Sequence, residues 1–448
     1  MNQIYYFQVA PWQQFAYSGV LLLSFLYLVC LKYQGKWNFL FIIFLFFAGL
    51  FQDISELLFG NRLVVNAYQI GMLAWSLFLL PRTNFEEICS RHKITTILFV
   101  LYGVYFIFNS ILHHDDLLIV ISQYSKVFIP ICFLFVLAKM IEEDYHEKLF
   151  WLFWELVIFQ IFFSVFKLVL LGGFIEGWVG SLSAIRGGAC GTTLPLLGLF
   201  LFALKNDMKI RDKYSLLYLI GLLIVGFAAG KRAVWLLFPI LYFILSFYVY
   251  RHSLSNKLVV GILVLPVVVY AALRLSPTLN PDNKVGGRFD PEYTYNYVMK
   301  YSAGIDETHK ETQQGVGRLG AVSWMNNRVA SNDHISLFGK GVEYIAVADH
   351  DDYSNKKYYQ GIKSRGSITG IVSTFMMQGI IGVILFVSFL VSLFLQNRSR
   401  FGLVLMSTFL FDYIFYNASM VNVMALFTLA LFLCLYPTES TEAEFDIQ

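Results

Sequence analysis

Long apolar runs recur along the whole chain, and that recurrence limits the fold more than any other feature. Runs able to cross ~30 Å of hydrocarbon as helices cover 15–32, 37–59, 63–80, 94–112, 117–138, 149–172, 187–204, 214–230, 233–250, 256–273, 367–395, 400–416 and 419–436. Composition agrees. With 57% hydrophobic and 14% charged residues among 448 and a mean hydropathy of +0.62, a soluble globular protein is excluded. The net charge of +3 is too small to imply nucleic acid as a partner. Cys30, Cys89, Cys132, Cys190 and Cys434 are scattered, without metal-site spacing or a disulfide framework, and read as buried thiols. The opening "MNQIYYFQVAPWQQF" lacks a basic leader, so the first apolar run reads as a retained span.

Orientation follows from the basic loops. Lys32–Lys36, Arg82–Lys93, Lys139–Lys148, Lys205–Lys213, Arg251–Lys257 and Arg398–Arg400 fall on alternate connections and assign to the cytoplasm. The opposite side receives the acidic "HHDD" at His113–Asp116, the turn 173–186, Gly230–Arg232 and everything from Arg274 to Gly366. The expected fold is an all-α polytopic integral membrane protein of about 13 transmembrane helices, with one large extracytoplasmic loop carrying short helices. Four parts follow: a bundle of about ten spans over 1–273, the loop 274–366, C-terminal spans over 367–436, and an acidic cytoplasmic tail over 437–448. Within the loop, "RLGAVSWMNNRVA" (Arg318–Ala330) has apolar residues at helical spacing and predicts a helix.

Several cations stand where the topology needs a reason for them. In "GFAAGKRAVWLLFPI", Lys231 and Arg232 lie at the outer end of a span. A Lys or Arg at the bilayer centre costs ~2.5–3.5 kcal/mol, so the pair sits at an interface or holds an anion. Snorkelling is the plain alternative, but cations in a short external turn run against the positive-inside bias. In "SAIRGGACGTTLPLL", Arg186 precedes Gly187, Gly188 and Gly191, where backbone N–H groups and a helix start favour an anion; Gly and Thr also serve plain helix packing. The loop adds Arg274, Arg288, Arg318, Arg328, Lys340, Lys363 and Arg365, interleaved with Trp324, Tyr344, Tyr353, Tyr358 and Tyr359. Guanidinium forks match phosphate, and aromatic faces suit sugars or headgroups. A solvated loop of mixed charge accounts for many of these residues singly.

Inside the membrane, Asp53 and Glu56 share a helix face and Lys126 precedes Pro130. Either they pair with one another or they serve ion coupling, though no half-helix symmetry of a secondary transporter is visible. His309, His334 and His350 lie apart, without metal-ligand spacing, and no phosphate loop of the cytosolic type occurs. No metal and no cofactor are expected.

Three stretches together resemble the O-antigen polymerase and O-antigen ligase superfamily of bacterial polysaccharide assembly. "AGKRAVWL" looks like its outer helix-start motif, an Arg followed by three residues and Leu, matched by Arg232 and Leu236. "GRLGAVSWMNNRVASNDHISLFGKG" is similar to its loop pattern of an Arg and a Trp before Gly-x-Gly, matched by Arg318, Trp324, Gly339 and Gly341. "STFMMQGIIGVILF" looks like its helix re-entering the membrane with Gly-x-x-Gly, matched by Gly379 and Gly382. The ligase type often carries a His shortly before that Gly-x-x-Gly; "SRGSITGIVSTFMMQGIIG" has none, which tilts the resemblance toward a polymerase.

The resemblance implies a metal-independent glycosyltransferase of the bacterial inner membrane. It would transfer undecaprenyl-diphosphate-linked oligosaccharide repeat units onto another lipid-linked unit at the periplasmic side. Lys231 and Arg232 would hold the diphosphate, with Arg318 reaching it from the loop. Arg186, Arg288, Arg328, Trp324, Lys340 and Arg365 would contact diphosphate or glycan. Among His334, Asp349 and His350, His334 is the expected base, because it travels with the Gly-x-Gly element while "DHDD" at 349–352 reads as a solvated turn. A chain-length regulator and a flippase are the expected partner proteins. A ligase acting on lipid A–core and a flippase without chemistry are the rival functions.

Overall fold

The computed structural model describes residues 11–27, 93–121, 146–171, 180, 187–229, 232–251, 270, 273–274, 280–282, 284, 286–303, 318–330, 334–342, 369–396 and 399–415. Spans expected over 37–59, 63–80 and 419–436 lie outside these residues, as do Asp53, Glu56, Lys126, Asp349, His350 and the acidic tail. Among the described residues the structure is helical, without strands. Lys93–Leu112, Phe153–Leu170 and Gly370–Ser392 are long and apolar enough to cross a membrane.

The helices are α1 (Pro11–Leu26), α2 (Lys93–Leu112), α3 (His146–Leu171), α4 (Gly187–Asn206), α5 (Lys213–Ala228), α6 (Arg232–Ile244), α7 (Pro291–Ala303), α8 (Arg318–Ala330), α9 (His334–Phe338), α10 (Gly370–Gln396) and α11 (Arg400–Phe415). A π turn, Leu245–Val249, continues α6. The loop helix α8 has the bounds its apolar spacing predicts.

The chain separates into two units that interleave in sequence. Within the second unit α2 pairs with α10 across nearly three hundred residues.

The first unit contains α1 and α3–α6. α1 runs antiparallel to α3: Gln13 Nε2 donates to Leu170 O at 2.6 Å, while the Tyr17 ring lies 5.9 Å from Phe163 and 6.1 Å from Phe166. Tyr17 is fully buried, and its hydroxyl donates to Gly180 O at 3.1 Å; the Gly180 amide donates to Ser164 Oγ at 2.8 Å. Across α3, α4 and α5, Trp154 stacks on Tyr218 at 4.2 Å and Phe202 on the same ring at 6.1 Å. Lys205 ends this stack with its ammonium 4.0 Å from the Trp154 centroid and 4.8 Å from that of Trp151, a cation–π arrangement. α5 begins at an Asp212 cap whose carboxylate accepts from the Ser215 amide at 2.7 Å.

The second unit contains α2 and α7–α11. α2 and α10 are antiparallel: Ser392 Oγ donates to Thr95 Oγ1 at 3.0 Å, Phe99 meets Phe389 at 5.8 Å, and Tyr102 meets Phe386 at 5.3 Å. The Lys93 and Gln396 ends therefore lie together. Interhelical hydrogen bonds and close packing hold such a pair in lipid, where burial against a neighbour removes no water. α8 is different. Ala321 and Met325, four residues apart, are buried against Val372, Phe375, Met376 and Val383 of α10, while Asn326 and Asn327 are exposed. Burial of a Met side chain of this kind contributes about 1.5–3 kcal/mol.

α10 is not one straight span. At Gly379 the backbone leaves the helix, with φ 67° and ψ −169°. Tyr413 on α11 shows the consequence: its hydroxyl donates to Thr374 Oγ1 at 2.7 Å while its ring lies 5.5 Å from Phe386. Twelve residues of straight helix would separate those two levels by ~18 Å, more than one tyrosine reaches. The first half of α10 is folded over at Gly379.

Candidate functional site

The break at Gly379 is filled by the loop after α9. A broken helix exposes carbonyls that need donors, and three of them are supplied from outside the helix. The Lys340 amide donates to Met376 O at 2.8 Å, the Gly341 amide to Met377 O at 3.0 Å, and the Tyr105 hydroxyl of α2 to Gln378 O at 2.6 Å. The backbones touch because both sides are glycine. Gly339 has φ 76°, and a Cβ there would lie 2.5 Å from Gln378 N and 2.7 Å from Gly379 N. A Cβ at Gly379 would strike the Leu337 carbonyl. Gly382 leaves room for Gln378, whose Oε1 would stand 2.6 Å from a Cβ at that position. The Gly-x-Gly and Gly-x-x-Gly elements singled out in the sequence are thus contact partners.

"HHDD" supplies the third wall, and each of its residues has a separate task. His113 brings Nε2 to 3.4 Å from Phe338 O, which also accepts from Asn109 Nδ2 at 2.6 Å. His114 takes a left-handed conformation, φ 57°, and turns the chain. Asp115 accepts the Val342 amide on Oδ2 at 2.8 Å. Asp116 caps the helix that follows, accepting from the Leu118 and Ile119 amides at 2.9 and 3.2 Å.

His334 opens the short helix α9 and is exposed. Its ring lies 5.1 Å from the Phe338 ring and 6.2 Å, edge to face, from that of His113. Lys340 is half-buried, one residue beyond Gly339. Arg318, Trp324 and Arg328 all belong to α8, which packs on α10 beside this contact. Arg288 precedes α7; its side chain is largely exposed and faces Asp290 at 3.8 Å, and its amide donates to Asp282 Oδ2 at 2.7 Å. Arg365 lies outside the described residues.

Arg232 is the first residue of α6, in the first unit. α5 and α6 approach closely: a Cβ at Gly226 of α5 would lie 2.7 Å from Val234 Cγ1 of α6. Lys231 and Arg186 lie outside the described residues. Among the described residues no cluster of three His, Cys, Asp or Glu able to hold a metal ion occurs.

No protein-family model, curated protein or solved structure matches the chain.

Asn109, His113 and Asp115 did not stand out in the sequence. Their signal was present: Asn109 and Ser110 are a polar pair in the apolar helix α2, directly before "HHDD". Lys167 was missed too. It is residue 22 of the 26 in α3, only 2% exposed, with its ammonium 5.4 Å from the Tyr17 centroid.

Proposed function

We propose that the protein is a polysaccharide polymerase of the bacterial inner membrane that joins undecaprenyl-diphosphate-linked oligosaccharide repeat units at the periplasmic side. One observation carries the reading: the Gly-x-Gly loop and the Gly-x-x-Gly helix, two of the three elements behind the family resemblance, pack backbone to backbone with His334 and Lys340 beside them. Motifs that were short and separate in the sequence become one local structure.

In the proposed reaction the acceptor sugar hydroxyl gives its proton to a ring nitrogen of His334 as its oxygen attacks the anomeric carbon of the donor. The bond from that carbon to the diphosphate oxygen breaks, and the electron pair leaves with the diphosphate. The proton on His334 then passes to the leaving diphosphate or to water. By the resemblance, Arg232, Lys231 and Arg186 of the first unit are candidate diphosphate contacts, and so, separately, are Arg318, Arg288, Arg328, Lys340 and Arg365 of the second; Trp324 is assigned to a sugar ring. A chain-length regulator and a flippase are the proposed protein partners. The test is the length of surface glycan in a strain lacking the protein. Caps of one repeat unit support a polymerase; long free chains on the carrier lipid point to a ligase, and unchanged glycan overturns both.

A further inference from the structure

We propose that His113 is the residue that positions His334, an inference that rests on reading His334 as the proton acceptor. α9 has only five residues, too few to hold a side chain in place by its own helical stability. Its geometry is imposed from outside: His113 touches it at two points and stands against the following loop at a third. The His113 Nε2 lies 3.4 Å from the carbonyl of Phe338, the last residue of α9. Its ring meets the His334 ring edge to face, with centroids 6.2 Å apart and planes at 78°. Its Cβ lies 2.8 Å from where a Cβ on Gly341 would stand, so only glycine lets the loop come so near.

These contacts give His113 and His334 unequal roles. Donation from Nε2–H to Phe338 O fixes the His113 tautomer, and Asn109 Nδ2, donating to the same oxygen at 2.6 Å, holds that carbonyl in line. His334 is flanked by Phe338 on one side and His113 on another, and is otherwise exposed. It is the imidazole a sugar hydroxyl can reach. His113 makes and breaks no bond in the transfer. It keeps the ring of His334 aimed, and a misplacement of about 1 Å costs on the order of 10²-fold in rate.

The experiment uses the purified full chain in proteoliposomes with undecaprenyl-diphosphate-linked repeat unit as substrate. His113→Phe keeps a ring against His334 but removes the donor to Phe338; His113→Gln restores a donor without the ring. Expected are a kcat loss of roughly 10–100-fold at unchanged KM for His113→Phe and a return to within about threefold for His113→Gln. The double variant with His334→Ala should be no slower than His334→Ala alone, since His113 acts only through His334. Losses that multiply in the double variant, or a raised KM at unchanged kcat, overturn the proposal. A second readout is independent of turnover: histidine-labelled protein should show one ordered His334 ring, disordered by His113→Phe and ordered again by His113→Gln. An unchanged His334 signal in His113→Phe overturns the positioning role. If the ring responds as expected but wild-type protein makes no polymer, the polymerase reading falls and the positioning of His334 stands.

Discussion

Gly339 and Gly379 interlock: a Cβ on Gly339 would fall 2.7 Å from Gly379 N, and a Cβ on Gly379 would strike the Leu337 carbonyl, two residues before Gly339. Gly339 has φ 76° and Gly379 φ 67° with ψ −169°, a combination at Gly379 essentially confined to glycine. Gly379→Ala and Gly339→Ala should therefore each lower the unfolding temperature of the detergent-solubilised protein sharply, through backbone strain of about 1–3 kcal/mol plus collision. Gly286→Ala is the comparator: φ is 77°, but a Cβ there meets nothing within 4 Å. Equal losses for all three would mean that the interlock adds nothing to local strain.

Arg232→Lys tests geometry against charge at the opening of α6. A guanidinium grips a diphosphate through two parallel bonds, whereas an ammonium is a point charge. Most polymer should be lost while the protein accumulates normally in the membrane. Full-length polymer from this variant would leave Arg232 an ordinary interfacial cation.

Sidedness can be read with impermeant thiol reagents in a background lacking the five native cysteines. Cysteine at His114 or Arg288, both exposed, should label from the outer face, because "HHDD" and the segment carrying Val342 are bonded through Asp115. Cysteine at Lys209 should not. Labelling of Lys209 from outside would invert the topology.

The Asp212 cap supplies a pH dependence of known sign. Hydrogen bonds from the Ser215 amide and hydroxyl hold its carboxyl below the usual aspartate range. A folded pKa below the unfolded one gives a contribution complete above the unfolded value and lost as pH falls through the folded value. Asp212→Asn should thus be less stable than wild type at neutral pH, and the two melting curves should converge in acid. A constant gap down to the lowest pH would remove the carboxylate from the explanation.

Helix positions were legible in the sequence because lipid demands a long apolar run wherever a helix crosses. α2, α3, α5 and the α8 segment stand within a few residues of their expected bounds. The break in α10 was not legible. "GIVSTFMMQGIIGVILF" is apolar on both sides of Gly379, and hydropathy carries no record of a dihedral angle. Nor does a linear reading reveal that Asn109 and His113 serve a carbonyl more than two hundred residues away. Such contacts become visible only when α2 and α10 are paired.

The break also sets a depth. From Ile380 to Gln396, the second half of α10 has seventeen residues, a length of ~25 Å against a hydrocarbon thickness of ~30 Å. If its far end meets one face of the bilayer, the Gly339–Gly379 contact lies short of the other, with loop backbone sunk below the headgroups. Non-helical chain is admitted at that level only when its polar groups are bonded within the protein. The Lys340, Gly341 and Val342 amides and the Phe338 carbonyl are all so bonded. In that arrangement a hydrophilic segment is let down below the headgroups, and the polymerase proposed above would not need to lift its lipid-borne substrate out of the bilayer to meet it.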